Sequence, residues 1–185
     1  MTQDLAGEQA VIRYAISRSR LGRMLVARTD RGICYVGFDD DPRVLKQALR
    51  SRFALSRIER DDRGLRGDVQ ALAELLSDSA GRVDLPLDLR GTPFQLRVWE
   101  LLRRIPVGHT TTYRELARRM GRPKAVRAVA SACGANPVAV AVPCHRVLRS
   151  DGGLGGYYWG IERKRRLLQL ETDMVQKSQG GATKR

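Results

Sequence analysis

"TTTYRELARRMGRPKAVRAVASACGANP", residues 110 to 137, decides how the second half of this chain folds. Thr112 followed three residues later by Glu115 is a capping box, which predicts a short helix through Leu116, Ala117 and Met120 that stops at Gly121. Pro123 opens another helix, in which Val126, Val129, Ala130 and Cys133 recur at helical steps and leave Lys124, Arg127 and Ser131 elsewhere on its surface. Two short helices joined by a glycine-containing turn, the second rich in small residues and bearing cations, outline a helix-turn-helix. An ordinary helical hairpin has the same pattern.

Upstream, "TPFQLRVWELLRRI" (92–105) predicts a third helix, with Thr92 and Gln95 as capping box, Pro93 in the first turn, and a buried stripe of Phe94, Val98, Leu101, Leu102 and Ile105. The first half reads differently. "VIRYAIS", "GRMLVART" and "GICYVGF", between residues 11 and 38, are short β-type runs separated by turn residues and predict a small antiparallel meander. Helical spacing over 42–53 and 68–77 predicts two helices covering one sheet face. "GRVDLPLDLRG" (81–91) reads as an extended connection, so the expected organisation is an N-terminal α/β domain over 1–89, a helix-turn-helix domain over 90–175 and a disordered tail over 176–185.

Charge supports that division. The net charge of +14 is uneven: residues 1–89 hold 15 Lys and Arg against 14 Asp and Glu, and residues 90–185 hold 19 against 6. So positive a half attracts a polyanion, and nucleic acid is the first partner to consider. Of the 34 basic residues 29 are Arg, which reflects coding bias as readily as phosphate recognition. No stretch of eighteen apolar residues occurs and the N-terminus lacks a secretion pattern, so a soluble cytoplasmic protein without membrane contact is expected. Cys34, Cys133 and Cys144, odd in number and without CxxC spacing, argue against a disulfide framework or a structural metal site.

"VAVPCHRVLRSDGG" (140–153) sets Cys144 apart from the other two, whose simplest role is packing. Cys144 ends an apolar run read as extended, is followed by His145 and Arg146, and precedes a glycine-rich segment, so its sulfur can face a cleft. A thiol with pKa about 8.5 needs a base or a positive environment to act as a nucleophile near neutrality, and His145 and Arg146 can supply both. Adjacent side chains rarely meet, so His145 acts through a bridging water in this reading, with Glu171 the candidate that fixes its tautomer.

"PCHRV", with "LPLDLRGTPFQ", "TTTYRELA", "KAVRAVASACGAN" and "GGYYWGIERKRRLL" in this order, resembles the O6-alkylguanine-DNA alkyltransferases, and most of all the C-terminal domain of the Ada branch. That resemblance implies an α+β fold: a small antiparallel β-sheet with helices, ribonuclease H-like, then a mostly helical, winged helix-turn-helix-like domain. It implies a DNA repair methyltransferase that moves an alkyl group from the exocyclic oxygen of guanine, and less well of thymine, irreversibly onto Cys144. Neither cofactor nor metal is implied, and the partner is double-stranded DNA bound by a monomer, with clustering along DNA left open. By the same resemblance His145 and Glu171 activate the thiol, Tyr113 assists the departing guanine, and Asn136 is a hinge between recognition helix and active-site turn. Arg127 fills the space of a flipped base from the minor groove. Thr112, Ala128 and Ser131 line that groove, and Arg97, Arg118, Lys124 and Arg149 contact phosphates. The alkyl pocket is formed by Tyr113, Pro143, Val147, Gly155, Gly156, Tyr157 and Tyr158, the last bulkier than in many members. Ada-type proteins carry an N-terminal zinc domain with clustered cysteines; no such cluster stands here, so zinc-dependent sensing is not expected. The competing classes are a non-enzymatic regulator or sensor of alkylated bases, which needs no reactive Cys144, and a multiple-turnover cysteine hydrolase.

Overall fold

The computed structural model describes residues 11–77 and 85–180. The three β-type runs form β1 (Val11–Ser19), β2 (Gly22–Thr29) and β3 (Gly32–Asp39), paired antiparallel in sequence order. A fourth strand, β4 (Arg57–Arg60), pairs parallel to β1, so the sheet order is β3-β2-β1-β4 and the sheet is mixed. Its short polar sequence RIER carries no apolar alternation by which to find it.

Helix α1 (Pro42–Arg52) starts where the Asp41 carboxylate accepts from the Arg43 N–H at 2.8 Å and Pro42 occupies the first turn. Its Leu45 and Leu49 pack on Ile12, Leu25, Ala27 and Tyr35. Helix α2 (Arg66–Glu74) instead buries Leu72 in a cluster that contains Ala15, Met24, Val26 and Val36. The two helices therefore lie on opposite sheet faces, not on one. The reason is visible in β2 and β3, where Met24 to Ala27 and Ile33 to Val36 are buried without alternation, so both faces need cover.

The second half contributes α3 (Pro93–Arg103), β5 (Thr111–Thr112), α4 (Tyr113–Arg119), α5 (Val126–Gly134), β6 (Val147–Leu148) and α6 (Ile161–Gly180). Both sides of the Thr92 capping box form on α3, whereas on α4 the Thr112 hydroxyl accepts from the Glu115 N–H at 3.1 Å. Pro123 opens a turn, and helix α5 begins only at Val126. The stripe expected on α3 gains Trp99, wholly buried, whose indole N–H donates to the Ala132 carbonyl at 2.8 Å and ties α3 to α5; Phe94 and Leu101 are only partly buried. Residues 176–180, expected to be disordered, continue α6; residues 181–185 lie outside the described residues.

The boundary expected at 89/90 falls in an extended segment, yet one apolar cluster runs from Ala15 and Met24 to Leu170 and Met174. The outer edge of β3 joins the halves. The Ile33 N–H donates to Pro86 O at 2.8 Å, while Val36 N–H donates to Pro137 O at 2.9 Å. Gly32, at φ +146, is required here because a Cβ would stand 2.3 Å from the Pro86 oxygen. No helix among the described residues is long and apolar enough to cross a membrane.

Candidate active site

Cys144 begins a single 3-10 turn, Cys144–Arg146, behind Pro143. The apolar run before it is not extended. It folds back on itself, with Val142 N–H donating to Val138 O at 3.0 Å and Val140 held at φ +68. A β-branched residue in the left-handed region costs on the order of 1–3 kcal/mol, so neighbouring contacts must hold it there. Asn136 supplies them: its Oδ1 accepts from Val138 N–H at 3.0 Å, and its Nδ2 donates to Val142 O at 2.7 Å and to Cys144 Sγ at 3.2 Å. The amide that ends α5 thus shapes the turn and touches the thiol.

His145 is fully buried, and its Nε2 lies 2.7 Å from Glu171 Oε1. Burial pulls its pKa down against the pull of Glu171, so the ring is neutral. A neutral ring facing a carboxylate carries its proton on Nε2, which leaves Nδ1 as an acceptor. Nδ1 is buried and has no protein hydrogen-bond partner among the described residues. Glu171 also receives Arg146 Nε at 2.9 and 3.0 Å, Arg146 Nη2 at 2.8 Å and the Gly108 N–H at 3.2 Å. Burial opposes its ionisation, but His145 and Arg146 outweigh burial and bring its pKa to about 2.

Arg146 was expected to make the thiol's surroundings positive, but it is committed to Glu171 and to the Ile105 carbonyl. The cation that serves Cys144 is Lys164, wholly buried on α6, whose Nζ donates to Val147 O at 2.6 Å and to Leu154 O. Cys144 is only 5% exposed, and burial lifts its thiol pKa to about 11 against the lowering effects of Asn136 and Lys164. The sequence did contain a signal for Lys164. It shares one face of α6 with Leu167, Leu170, Glu171 and Met174, so two charged residues stand in an otherwise apolar buried stripe. Cys34 and Cys133 are buried, and burial raises the pKa of both.

Tyr113 directly follows β5, and Cys144 lies three residues before β6. The parallel pairs Thr111–Val147 and Thr112–Leu148 therefore fix the tyrosine's start relative to the thiol. Burial, with Cys133 and Cys144 nearby, raises the phenol to about 12. Gly155, at φ +66, brings its backbone so close that a Cβ would lie 3.2 Å from the Tyr113 hydroxyl. Gly156 has no such constraint: its φ is not positive and a Cβ would meet open space. Tyr157 buries its hydroxyl within electrostatic reach of Cys144 and Glu171, and Val147 is wholly buried. Tyr158 goes elsewhere. It is 67% exposed, edge-on to Trp159, and acts electrostatically on Arg52 and Tyr35 at the first half of the chain.

Lys124, Arg127, Ala128 and Ser131 are all exposed and share one face of α5 and its entry turn, a strip of small residues edged by cations. Neither Lys124 nor Arg127 has an ion-pair partner among the described residues, whereas Arg97, Arg118 and Arg149 are paired with Glu100, Glu115 and Asp151. Thr112 spends its oxygen on the α4 cap.

The 6-O-methylguanine DNA methyltransferase DNA-binding domain family matches residues 93–173. The bifunctional transcriptional activator/DNA repair enzyme Ada of Escherichia coli K12 is 46% identical over 167 residues, 90% of this chain and 47% of that protein, so the chain spans about half the length of this relative. The inducible methylated-DNA–protein-cysteine methyltransferase of Bacillus subtilis is 40% identical over 79% of this chain and 82% of its own length. The crystal structure of Mycobacterium tuberculosis O6-methylguanine methyltransferase superposes with a TM-score of 0.75 at 37% identity, covering 88% of this chain and 94% of that one. A structure of the mycobacterial protein in complex with DNA superposes at 0.74. With relatives matched over most of their own length and a thiol, imidazole and carboxylate assembled around its PCHRV turn, this chain belongs to the O6-methylguanine-DNA methyltransferase family, the methylated-DNA–protein-cysteine methyltransferases.

Proposed function

We propose that this protein repairs double-stranded DNA by moving the alkyl group from the O6 atom of guanine, and less well from alkylated thymine, irreversibly to Cys144. The observation that carries this reading is the buried His145–Glu171 pair at 2.7 Å, one position along the chain from Cys144, whose remaining ring nitrogen is an acceptor without a protein partner among the described residues. With the thiol at about 11, little thiolate exists at neutral pH, so attack needs a base as the lesion docks. The thiol proton passes through a bridging water to His145 Nδ1, and the imidazolium is stabilised by Glu171, ionised down to about pH 2. Sulfur attacks the alkyl carbon in line, the C–S bond forms as the C–O6 bond breaks, and the electron pair stays on guanine. Tyr113, kept a neutral phenol by burial, donates a hydrogen bond to the departing purine. The thioether offers water no electrophilic carbonyl, so one molecule serves one lesion.

A base inside a duplex must be turned out at a cost of a few kcal/mol. Arg127, exposed and without an ion-pair partner among the described residues, stands beside Ala128 and Ser131 and suits insertion into the vacated stack from the minor groove, with Lys124 suited to a phosphate. This differs from a helix-turn-helix that reads major-groove base edges, and little sequence preference follows. In this reading the protein works in the cytoplasm, at the nucleoid if the source is bacterial. Intact mass after incubation with duplex containing O6-methylguanine tests the proposal: one methyl group per molecule, mapped to the peptide of Cys144, is expected. Tight binding with unchanged mass means a sensor, repeated turnover with unchanged mass means a hydrolase, and either overturns it.

A further inference from the structure

Two consecutive cations in the first turn of α6, Arg163 and Lys164, hold the ends of the segment that covers the active site. Lys164 binds the carbonyl of Leu154, where that segment begins. Arg163 binds where it ends, Nη1 donating to Trp159 O at 3.1 Å. The same guanidinium reaches across to the first half of the chain: Nε donates to Leu21 O at 2.8 Å in the β1–β2 turn, and Nη2 lies 3.0 Å from Asp40 Oδ2 after β3. Its side chain is only 21% exposed. Cations in the first turn of a helix oppose the macrodipole, so this placement runs against the local preference and calls for a compensating tertiary role.

The segment between has two turning points and one stiff core. Gly155 at φ +66 and Gly160 at φ +97 lie near its ends, and the Trp159 ring meets Tyr157 edge-on at 5.2 Å between centroids. Tyr157 in turn reaches Cys144 electrostatically. Hydrogen bonds and a ring contact thus run from the β1–β2 turn through Arg163 and Trp159 to Tyr157, which packs against the buried cluster that holds Cys144. We infer that Arg163 is a positioning residue through which the N-terminal sheet holds the lid over Cys144 and so limits the size of alkyl group admitted. Resting on the alkyl-transfer reading above, this gives the first half of the chain a part in specificity. The Asp40 carboxylate is 83% exposed and its pairing is worth little; the two carbonyl contacts, partly shielded, carry the effect.

The test compares wild type, Arg163→Met, Arg163→Lys and Asp40→Asn for single-turnover alkylation by free O6-methylguanine and free O6-benzylguanine, with hydrogen exchange followed by mass spectrometry. Losing the closed lid lowers the competent fraction, so Arg163→Met is expected to slow methyl transfer about tenfold while raising the benzyl-to-methyl rate ratio about tenfold. Exchange should accelerate over 154–160 and stay unchanged in β2 and β3. Arg163→Lys recovers part of both effects and Asp40→Asn stays within about twofold of wild type. An unchanged rate ratio, or exchange that accelerates equally in the sheet, overturns the inference. No alkyl transfer to the wild-type protein from either free base or from duplex would instead remove the alkyl-transfer reading itself.

Discussion

Replacing Asn136 by Ala should damage the protein twice, in stability and in reactivity, by amounts that follow from its three contacts. The Val138 N–H, bound to Asn136 Oδ1 at 3.0 Å, has no other partner among the described residues and becomes a buried orphan, costing about 1–3 kcal/mol. Val142 O loses the Nδ2 donor at 2.7 Å but keeps the Cys144 N–H at 2.8 Å, so its loss is nearer about 1 kcal/mol. Together these predict a destabilisation of about 2–4 kcal/mol, with the strained Val140 free to leave φ +68. The thiol simultaneously loses its largest pKa-lowering contact, Nδ2 at 3.2 Å, and should ionise at still higher pH. Urea unfolding with an unchanged m-value measures the first effect, and thiol reactivity against pH under folded conditions the second. A loss below about 1 kcal/mol together with an unaltered thiol profile would refute the claim that this amide holds the active-site turn.

Arg127→Ala should weaken repair of duplex lesions by at least about tenfold while leaving reaction with free O6-methylguanine within about twofold, since only the duplex requires a base to be turned out; paired single-turnover assays decide, and equal losses would remove the flipping role. Acid stability should report Glu171. Its folded pKa of about 2 is depressed below the ordinary value of 4.5, so its contribution is fully present above pH 4.5 and is lost as pH falls toward 2. His145, also depressed, adds a loss as pH drops below 6.5, because there the unfolded chain binds a proton that the folded ring refuses. Glu171→Gln should flatten the pH 4.5-to-2 part of the unfolding free energy; a slope identical to wild type would show that the carboxyl is not held as described.

Local patterns were enough to place the meander, α3 and the helix pair, because each rests on signals a few residues apart: period-two runs, a capping box, a glycine stop. They also placed Cys144 beside His145, and the need of that ring for a carboxylate made Glu171 the candidate, although the 26-residue separation carries no local signal. Other features were settled only in three dimensions. Whether α1 and α2 share a sheet face depends on what else covers the sheet, and the second half of the chain covers one side. The run 138–143 has the composition of a strand, but Asn136 competes for its backbone and folds it into a turn. Arg146 is adjacent in sequence to the thiol's neighbour yet serves the carboxylate, and Lys164, twenty residues away, is the cation that acts electrostatically on the thiol.

By itself the sequence determined which residues can react and which segments form helix or strand, because reactivity belongs to side-chain chemistry and secondary structure to near neighbours. Burial, and with it the protonation of Cys144, His145, Glu171 and Lys164, was decided only by the tertiary structure. A charge feels every group and every missing water around it, and those surroundings come from segments far apart along the chain.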